Sequence, residues 1–216
     1  MTEFSYGPLD CGCDRPHHDP RLVVLTGGPG AGKTAVLEMA RRALCRHVAI
    51  LPEAASIVFG GGFPRHSGDA GRRAAQRAIY HIQLELERVV IDEREAAVAL
   101  CDRGTIDGAA YWPDRAASYF NALATRVEAE LARYAAVIHL RSPATSSGYN
   151  RQNRLRIESA DEAARLDALI LDAWSGHPRR FIIESTADFV TKAARALELV
   201  KAELPLCCQA HPLAPG

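Results

Sequence analysis

An α/β fold, with one parallel β-sheet covered by helices on both faces, is what this sequence predicts. Two observations carry that prediction. Short apolar runs alternate with longer stretches of helical periodicity along the 216 residues. Several of the runs are apolar throughout instead of alternating with polar residues, the mark of strands buried on both faces. A third observation, the glycine-rich turn at 27–34, joins the first apolar run to the first helical stretch. Parallel strands need right-handed crossovers, and ligands of such sheets sit beyond the carboxyl ends of the strands.

Residues 1–20 are rich in Gly, Pro, Asp and His, show no periodicity, and read as a flexible leader. Within it, Cys11-Gly12-Cys13 and His17-His18 offer metal donors. C-x-C followed by His-His matches no standard zinc spacing, so the stretch reads as an unstructured tail. The domain proper is expected over 21–203.

Leu22-Val23-Val24-Leu25 is the first strand. Gly27-Gly28-Pro29-Gly30-Ala31-Gly32-Lys33-Thr34 then fits the phosphate-loop pattern G-x-x-x-x-G-K-[ST] without mismatch. Residues 35–44 read as an amphipathic helix. Strand, glycine loop and helix together suit phosphate binding: successive backbone N–H groups turn inward, and the helix N-terminus adds partial positive charge. The segment Gly30-Ala31-Gly32-Lys33-Thr34-Ala35 also fits the dinucleotide pattern G-x-G-x-x-G/A, but that reading leaves Gly27, Lys33 and Thr34 without a role. In the phosphate-loop reading, Gly28, Pro29, Gly30, Ala31 and Gly32 cradle the phosphates. Lys33 reaches the β- and γ-phosphates, and the Thr34 hydroxyl ligates Mg²⁺.

A second strand over 47–51 ends at Pro52-Glu53, and Gly60-Gly61-Gly62 opens a loop. Residues 72–94 carry apolar positions at three- and four-residue spacing and read as one long helix. Ala97-Val98-Ala99-Leu100-Cys101 is a third strand, ending at Asp102-Arg103-Gly104. A short helix is expected over 105–111, then one helix over about 115–134. A fourth strand follows over 135–140 and an arginine-rich connection over 141–158. Ser159, with Glu162 in capping-box position, opens a helix to about Trp174. Phe181-Ile182-Ile183-Glu184 is the fifth strand, 188–203 the last helix, and 204–216 a loose tail.

The polar residues beyond the strand ends are the candidate site. Asp102 fits a Mg²⁺-holding carboxylate at a strand end, with Glu184 a rival of the same local appearance. Arg103 beside Asp102 favours the former, since a guanidinium there holds a phosphate or an acceptor hydroxyl. A water-activating ATPase of the AAA+ kind wants a second carboxylate directly after the Asp, and this chain has Arg103. A kinase needs a base near its acceptor, and Glu53 is placed for that, or else is an ordinary helix-start acid favoured by the helix dipole. Arg151, Arg154 and Arg156 suit a lid that spreads the charge of transferring phosphates. A solvated charged face is the other reading. Gln76 and Gln83, on the long helix, are weaker candidates for reading an acceptor base.

Composition sets limits. Lys+Arg and Asp+Glu are both 26, so no global basic field argues for nucleic acid. No apolar run approaches the ~20 residues of a membrane span, and the N-terminus lacks a signal-peptide h-region. The six cysteines, at 11, 13, 45, 101, 207 and 208, form no disulfide framework, which points to a reduced cytoplasmic protein. No N-K-x-D and no D-x-x-G occurs, which argues against a Ras-type GTPase. Oligomeric state is not legible.

The phosphate loop, Leu51-Pro52-Glu53, Cys101-Asp102-Arg103-Gly104 and the stretch ending Arg156-Ile157-Glu158 together resemble the P-loop kinase fold of nucleoside and nucleotide kinases. Val137-Ile138-His139-Leu140, Arg156-Ile157-Glu158-Ser159 with Glu162-Ala163, and Trp174 with His177-Pro178 are more closely similar to small bacterial "AAA domain" predicted ATPases, related to the ribosylnicotinamide-kinase domain of NadR. The resemblance covers about 21–203. It implies a three-layer P-loop NTPase fold with a five-stranded parallel sheet of order 2-3-1-4-5. It implies ATP, with GTP as the alternative, Mg²⁺, and a small-molecule acceptor. It also implies that Glu53 is the base, that Asp102 and Arg103 hold Mg²⁺ and the reacting phosphate, and that Arg151, Arg154 and Arg156 form a basic lid.

Overall fold

The computed structural model describes residues 4–114, 116–143, 160–185 and 188–209. Its centre is a six-stranded sheet of order β1-β3-β4-β2-β5-β6. The strands are β1 (Ser5–Tyr6), β2 (Arg21–Thr26), β3 (Val48–Leu51), β4 (Val98–Asp102), β5 (Ala136–Leu140) and β6 (Arg180–Ile183). β2 to β6 are parallel, and counted alone they take the expected order 2-3-1-4-5. β1, which the sequence did not announce, adds an antiparallel edge by pairing Ser5 with Ile50 and Tyr6 with Ala49.

Successive residues of a strand face opposite ways, and that parity builds two cores. Val23 and Leu25 of β2 face a core closed by α1 (Lys33–Ala43) and α8 (Phe189–Ala202). Leu22 and Val24 face the other core, with Tyr80 of α3 (Asp69–Glu93) and with Ile170 of α7 (Ala160–Ala173) and Trp174 just beyond it. All four of these β2 side chains are essentially inaccessible, so no polar face was available to break the apolar run.

Three expectations fail. The leader is not loose: Cys13 and His18 are buried, and Leu9 bridges to Cys45. The tail is not loose at its start: α9 (Leu206–Gln209) seats a buried Cys208, and Leu204 is buried before it. Both segments lie against α1 and the start of β3, because their few apolar side chains and thiols complete that core. The single helix expected over 115–134 is two, α5 (Ala116–Ala122) and α6 (Val127–Leu131). Ala124 takes φ 52 between them, in the left-handed region that ends a helix. Other elements deviate by one or two residues at their ends, except α3, which starts at Asp69, three residues early. α2 (Ala54–Gly60) is a further short helix after β3, and the short helix expected over 105–111 is a 3₁₀ turn (Thr105–Asp107) running into α4 (Gly108–Tyr111).

Candidate functional site

The residues that converge do so because β2, β3 and β4 end side by side. Leu25 pairs with Asp102 and Leu51 with Cys101, so the phosphate loop, Glu53 and Asp102 emerge at one rim of the sheet. Glu184 follows β6, two strands from β2, and is exposed. The sheet order therefore separates the two carboxylates that looked alike in sequence.

The loop is built on backbone freedom. Gly27, Gly30 and Gly32 take φ of 137, 82 and 94. At Gly27 a Cβ would stand 2.1 Å from the Leu140 carbonyl oxygen, so both conformation and space demand glycine. Lys33, at the start of α1, donates to the carbonyls of Gly27 at 2.9 Å and Gly28 at 3.3 Å. Burial, helped by the charge of Arg103, pushes its pKa down to about 8 against the pull of Asp102, Glu53 and Asp107. Thr34 follows it and is exposed.

Arg103 is the hub of the polar cluster. Its backbone sits at φ 74, a strained conformation for a side-chain-bearing residue, and its N–H donates to the Leu25 carbonyl at 3.1 Å. Its Nε donates to Glu53 Oε1 at 2.9 Å, and its Nη1 to the Gly27 carbonyl at 3.3 Å and Asp107 Oδ1 at 3.2 Å. The guanidinium also lies over the Tyr111 ring, 5.7 Å from its centroid. Glu53 caps α2 without bonding its backbone; its Oε2 accepts from the Ser56 hydroxyl at 2.6 Å. Burial alone would raise the Glu53 pKa, but Arg103, Ser56 and Lys33 outweigh it and hold the carboxyl below its ordinary range.

Asp102 is different. Its Oδ1 is buried with no hydrogen-bond partner among the described residues. Burial pushes its pKa up to about 6, although Lys33 and Arg103 pull the other way. An orphaned, partly destabilised carboxylate oxygen at the loop rim fits a divalent cation, which would supply the missing partner.

Several residues that the sequence reading missed hold this cluster. Asp107, four residues after Arg103, accepts from Gly104 N at 3.1 Å, Trp174 Nε1 at 3.0 Å and the Thr26 hydroxyl. Asp167 of α7 accepts the Gly28 N–H at 2.9 Å, and Lys192 of α8 donates to the Ala31 carbonyl at 3.0 Å. The Ser142 hydroxyl donates to the Pro29 carbonyl at 3.0 Å. One signal for Asp167 was in the sequence: it stands on the stripe Ala163, Ile170, Trp174, where the helical period expects an apolar residue.

Gln83 is buried and donates to Glu87 Oε1 at 2.8 Å, in a network with Arg133 and Tyr134 beneath the β4 turn, so it serves the scaffold. Arg151, Arg154 and Arg156 lie outside the described residues.

Comparison with known proteins adds two findings. A family model described as "AAA domain" matches residues 22–192. A solved thymidylate kinase from Candida albicans superposes with a TM-score of 0.59 at 11% identity, over 85% of this chain and 92% of that one, which is a likeness of fold. No curated protein matches the chain.

Proposed function

The chain belongs to this AAA-domain family, and on that premise we propose that it is a P-loop phosphotransferase. It moves the γ-phosphoryl of ATP, or of GTP as the alternative donor, to a hydroxyl of a small nucleoside-like acceptor. The observation that carries the reading is the bridge made by Arg103, which ties the Glu53 carboxylate and the Gly27 carbonyl of the phosphate loop to one guanidinium. A carboxylate held in register with the loop suits an acceptor that must lie in line with the γ-phosphate. A water-activating site has no need of that arrangement.

In this reading the loop N–H groups from Gly30 to Thr34 and the N-terminus of α1 bind the phosphates. Lys33 exchanges the Gly27 and Gly28 carbonyls for phosphate oxygens. Phe189 lies so close to Gly32 that a Cβ there would stand 3.0 Å from its ring; with Phe189 42% and Val190 67% exposed, this corner offers an apolar face for the base. Thr34 and Asp102 would hold Mg²⁺, which when bound neutralises charge on the β- and γ-phosphates. The acceptor oxygen bonds to the γ-phosphorus as the bond to the β,γ-bridging oxygen breaks. Glu53 accepts the hydroxyl proton. A carboxylate with a lowered pKa is a weak base, which suits a loose transition state in which the proton leaves late. Arg151, Arg154 and Arg156 close over the transferring group.

The test is a thermal-shift screen of nucleosides and sugars in the presence of a nonhydrolysable ATP analogue, followed by turnover with each hit. A true acceptor raises the melting temperature by mass action and stimulates ATP consumption. If no acceptor does either and slow hydrolysis is all that remains, the protein is instead a nucleotide-dependent switch read by a partner.

A further inference from the structure

At the opposite end of the sheet from the phosphate loop, chain segments far apart in sequence bring thiols and imidazoles together. Cys45 and His47 immediately precede β3, whose other end leads to Glu53. Cys11 and Cys13 come from the leader and Cys208 from α9. Residues 7–13 are laced to this strand start by main-chain bonds from Gly7 N to Val48 O, Leu9 N to Leu44 O and Arg46 N to Leu9 O. The Arg46 guanidinium adds a bond to the Cys13 carbonyl at 3.0 Å.

We propose that Cys11, Cys45, His47 and Cys208 form a structural Zn²⁺ site that clamps the leader and the C-terminal helix to the sheet. The donor atoms of these residues all lie within 4.8 Å of one another. Cys11 Sγ stands 3.1 Å from His47 Nδ1 and 3.6 Å from Cys208 Sγ, and His47 Nδ1 is 3.3 Å from Cys208 Sγ. Zinc with Zn–S near 2.3 Å and Zn–N near 2.0–2.1 Å sets tetrahedral edges of about 3.8 Å between sulfurs and about 3.6 Å between sulfur and nitrogen. The three edges among Cys11, His47 and Cys208 need shifts of only a few tenths of an ångström to accept the ion, and Cys45 lies within 4.8 Å of each to complete the tetrahedron. Cys45, His47 and Cys208 are buried and Cys11 is half-buried, so the ion would be closed off from solvent, as structural zinc is. Three thiolates and one imidazole are a soft, tetrahedral donor set, which disfavours Mg²⁺ and Ca²⁺.

Cys13 and His18, 3.9 Å apart, form a second donor pair against the same His47 and Cys208. The first set is preferred because Cys11 and Cys208 both approach His47 Nδ1 closely, and Cys45-x-His47 is anchored by main-chain bonds from Ala97 N and Val98 N to the His47 carbonyl. All six cysteines are free thiols. The site faces away from the nucleotide and requires nothing of the phosphotransfer reading.

The experiment uses the full chain, purified without chelator. Elemental analysis should find one zinc per chain. Exchange with Co²⁺ should give the intense visible bands of a tetrahedral site and a thiolate charge-transfer band in the near ultraviolet. Chelation should lower the melting temperature, and Zn²⁺ should restore it. Cys208→Ser and Cys45→Ser should each lose the metal, whereas Cys13→Ser and Cys207→Ser should keep it. Wild-type protein with no stoichiometric zinc and no tetrahedral cobalt spectrum overturns the proposal, whatever the variants do. A Cys11–Cys208 disulfide in that protein, found by non-reducing mass spectrometry, overturns it too. Loss of metal from Cys13→Ser but not Cys45→Ser overturns the ligand assignment.

Discussion

Asp167, on α7, accepts the backbone N–H of Gly28 at 2.9 Å and so ties the phosphate loop to a helix 139 residues further along the chain. The same carboxylate meets His139 Nε2 at 3.0 Å and the Arg141 Nε at 3.2 Å. Burial would raise its pKa, but His139, the Gly28 N–H and Arg141 outweigh that and hold it below 3.8. A loop N–H that would otherwise point at bound phosphate is thus satisfied inside the protein.

Removing this anchor should destabilise the fold. Asp167→Ala leaves the Gly28 N–H and the Arg141 charge without their partner, at a cost of roughly 2–4 kcal/mol. The sign of the pH dependence follows from the lowered pKa. The stabilisation is complete above the unfolded value of 3.8 and vanishes as pH falls through the lower folded one. Denaturant unfolding should therefore show a wide gap between wild type and variant at pH 7 that closes in strong acid; a gap independent of pH refutes the anchor.

Asp102→Asn should raise stability and lower activity. A carboxylate whose folded pKa is raised to about 6 destabilises the protein once pH exceeds that value, and does so hardly at all below the unfolded 3.8. At pH 8 the variant should gain about 1–3 kcal/mol over wild type, shrinking towards zero near pH 4. Mg²⁺-dependent turnover should fall by on the order of 10²-fold, since the amide replaces a cation ligand. A variant less stable than wild type at pH 8 would show that Asp102 is satisfied in the nucleotide-free protein.

Lys33→Ala should fold, because the loop is closed by its own glycines and by Asp167, Ser142 and Lys192, all of which remain. Its thermal shift with ADP or ATP should disappear. An undiminished shift, measured at saturating nucleotide, ends the phosphate-loop assignment.

Glu53→Gln keeps an oxygen to accept from Arg103, and its amide nitrogen can donate to the Ser56 hydroxyl, but the base is removed. Nucleotide affinity should persist while transfer to the acceptor falls by roughly 10²–10⁴-fold. Background hydrolysis should change less. Intact transfer in this variant would leave Glu53 as no more than a partner for Arg103.

Arg154→Ala bears on the lid. Its kcat should drop by on the order of 10²-fold with ATP affinity little changed, since a clamp on the transferring group acts in the transition state. Unaltered kcat makes 151–156 a solvated surface.

The sequence by itself determined the layered parallel fold and the phosphate loop. Both are written in contiguous residues: the unbroken apolar runs of β2 and β4, and glycines where Gly27 and Gly32 need positive φ. Glu53, Asp102 and Arg103 were legible for the same reason, because each follows a recognisable strand. Only the tertiary structure separated Asp102 from Glu184 in space, since that depends on β4 lying beside β2 and β6 at the edge. It alone joined Asp167 to Gly28, and Cys11 to Cys208 across 197 residues. Local periodicity reports which face of an element is buried, but not which distant side chain it meets there. For that, the sheet order must first bring the segments together, and for the leader and tail it was the core they complete, not any motif, that drew them in.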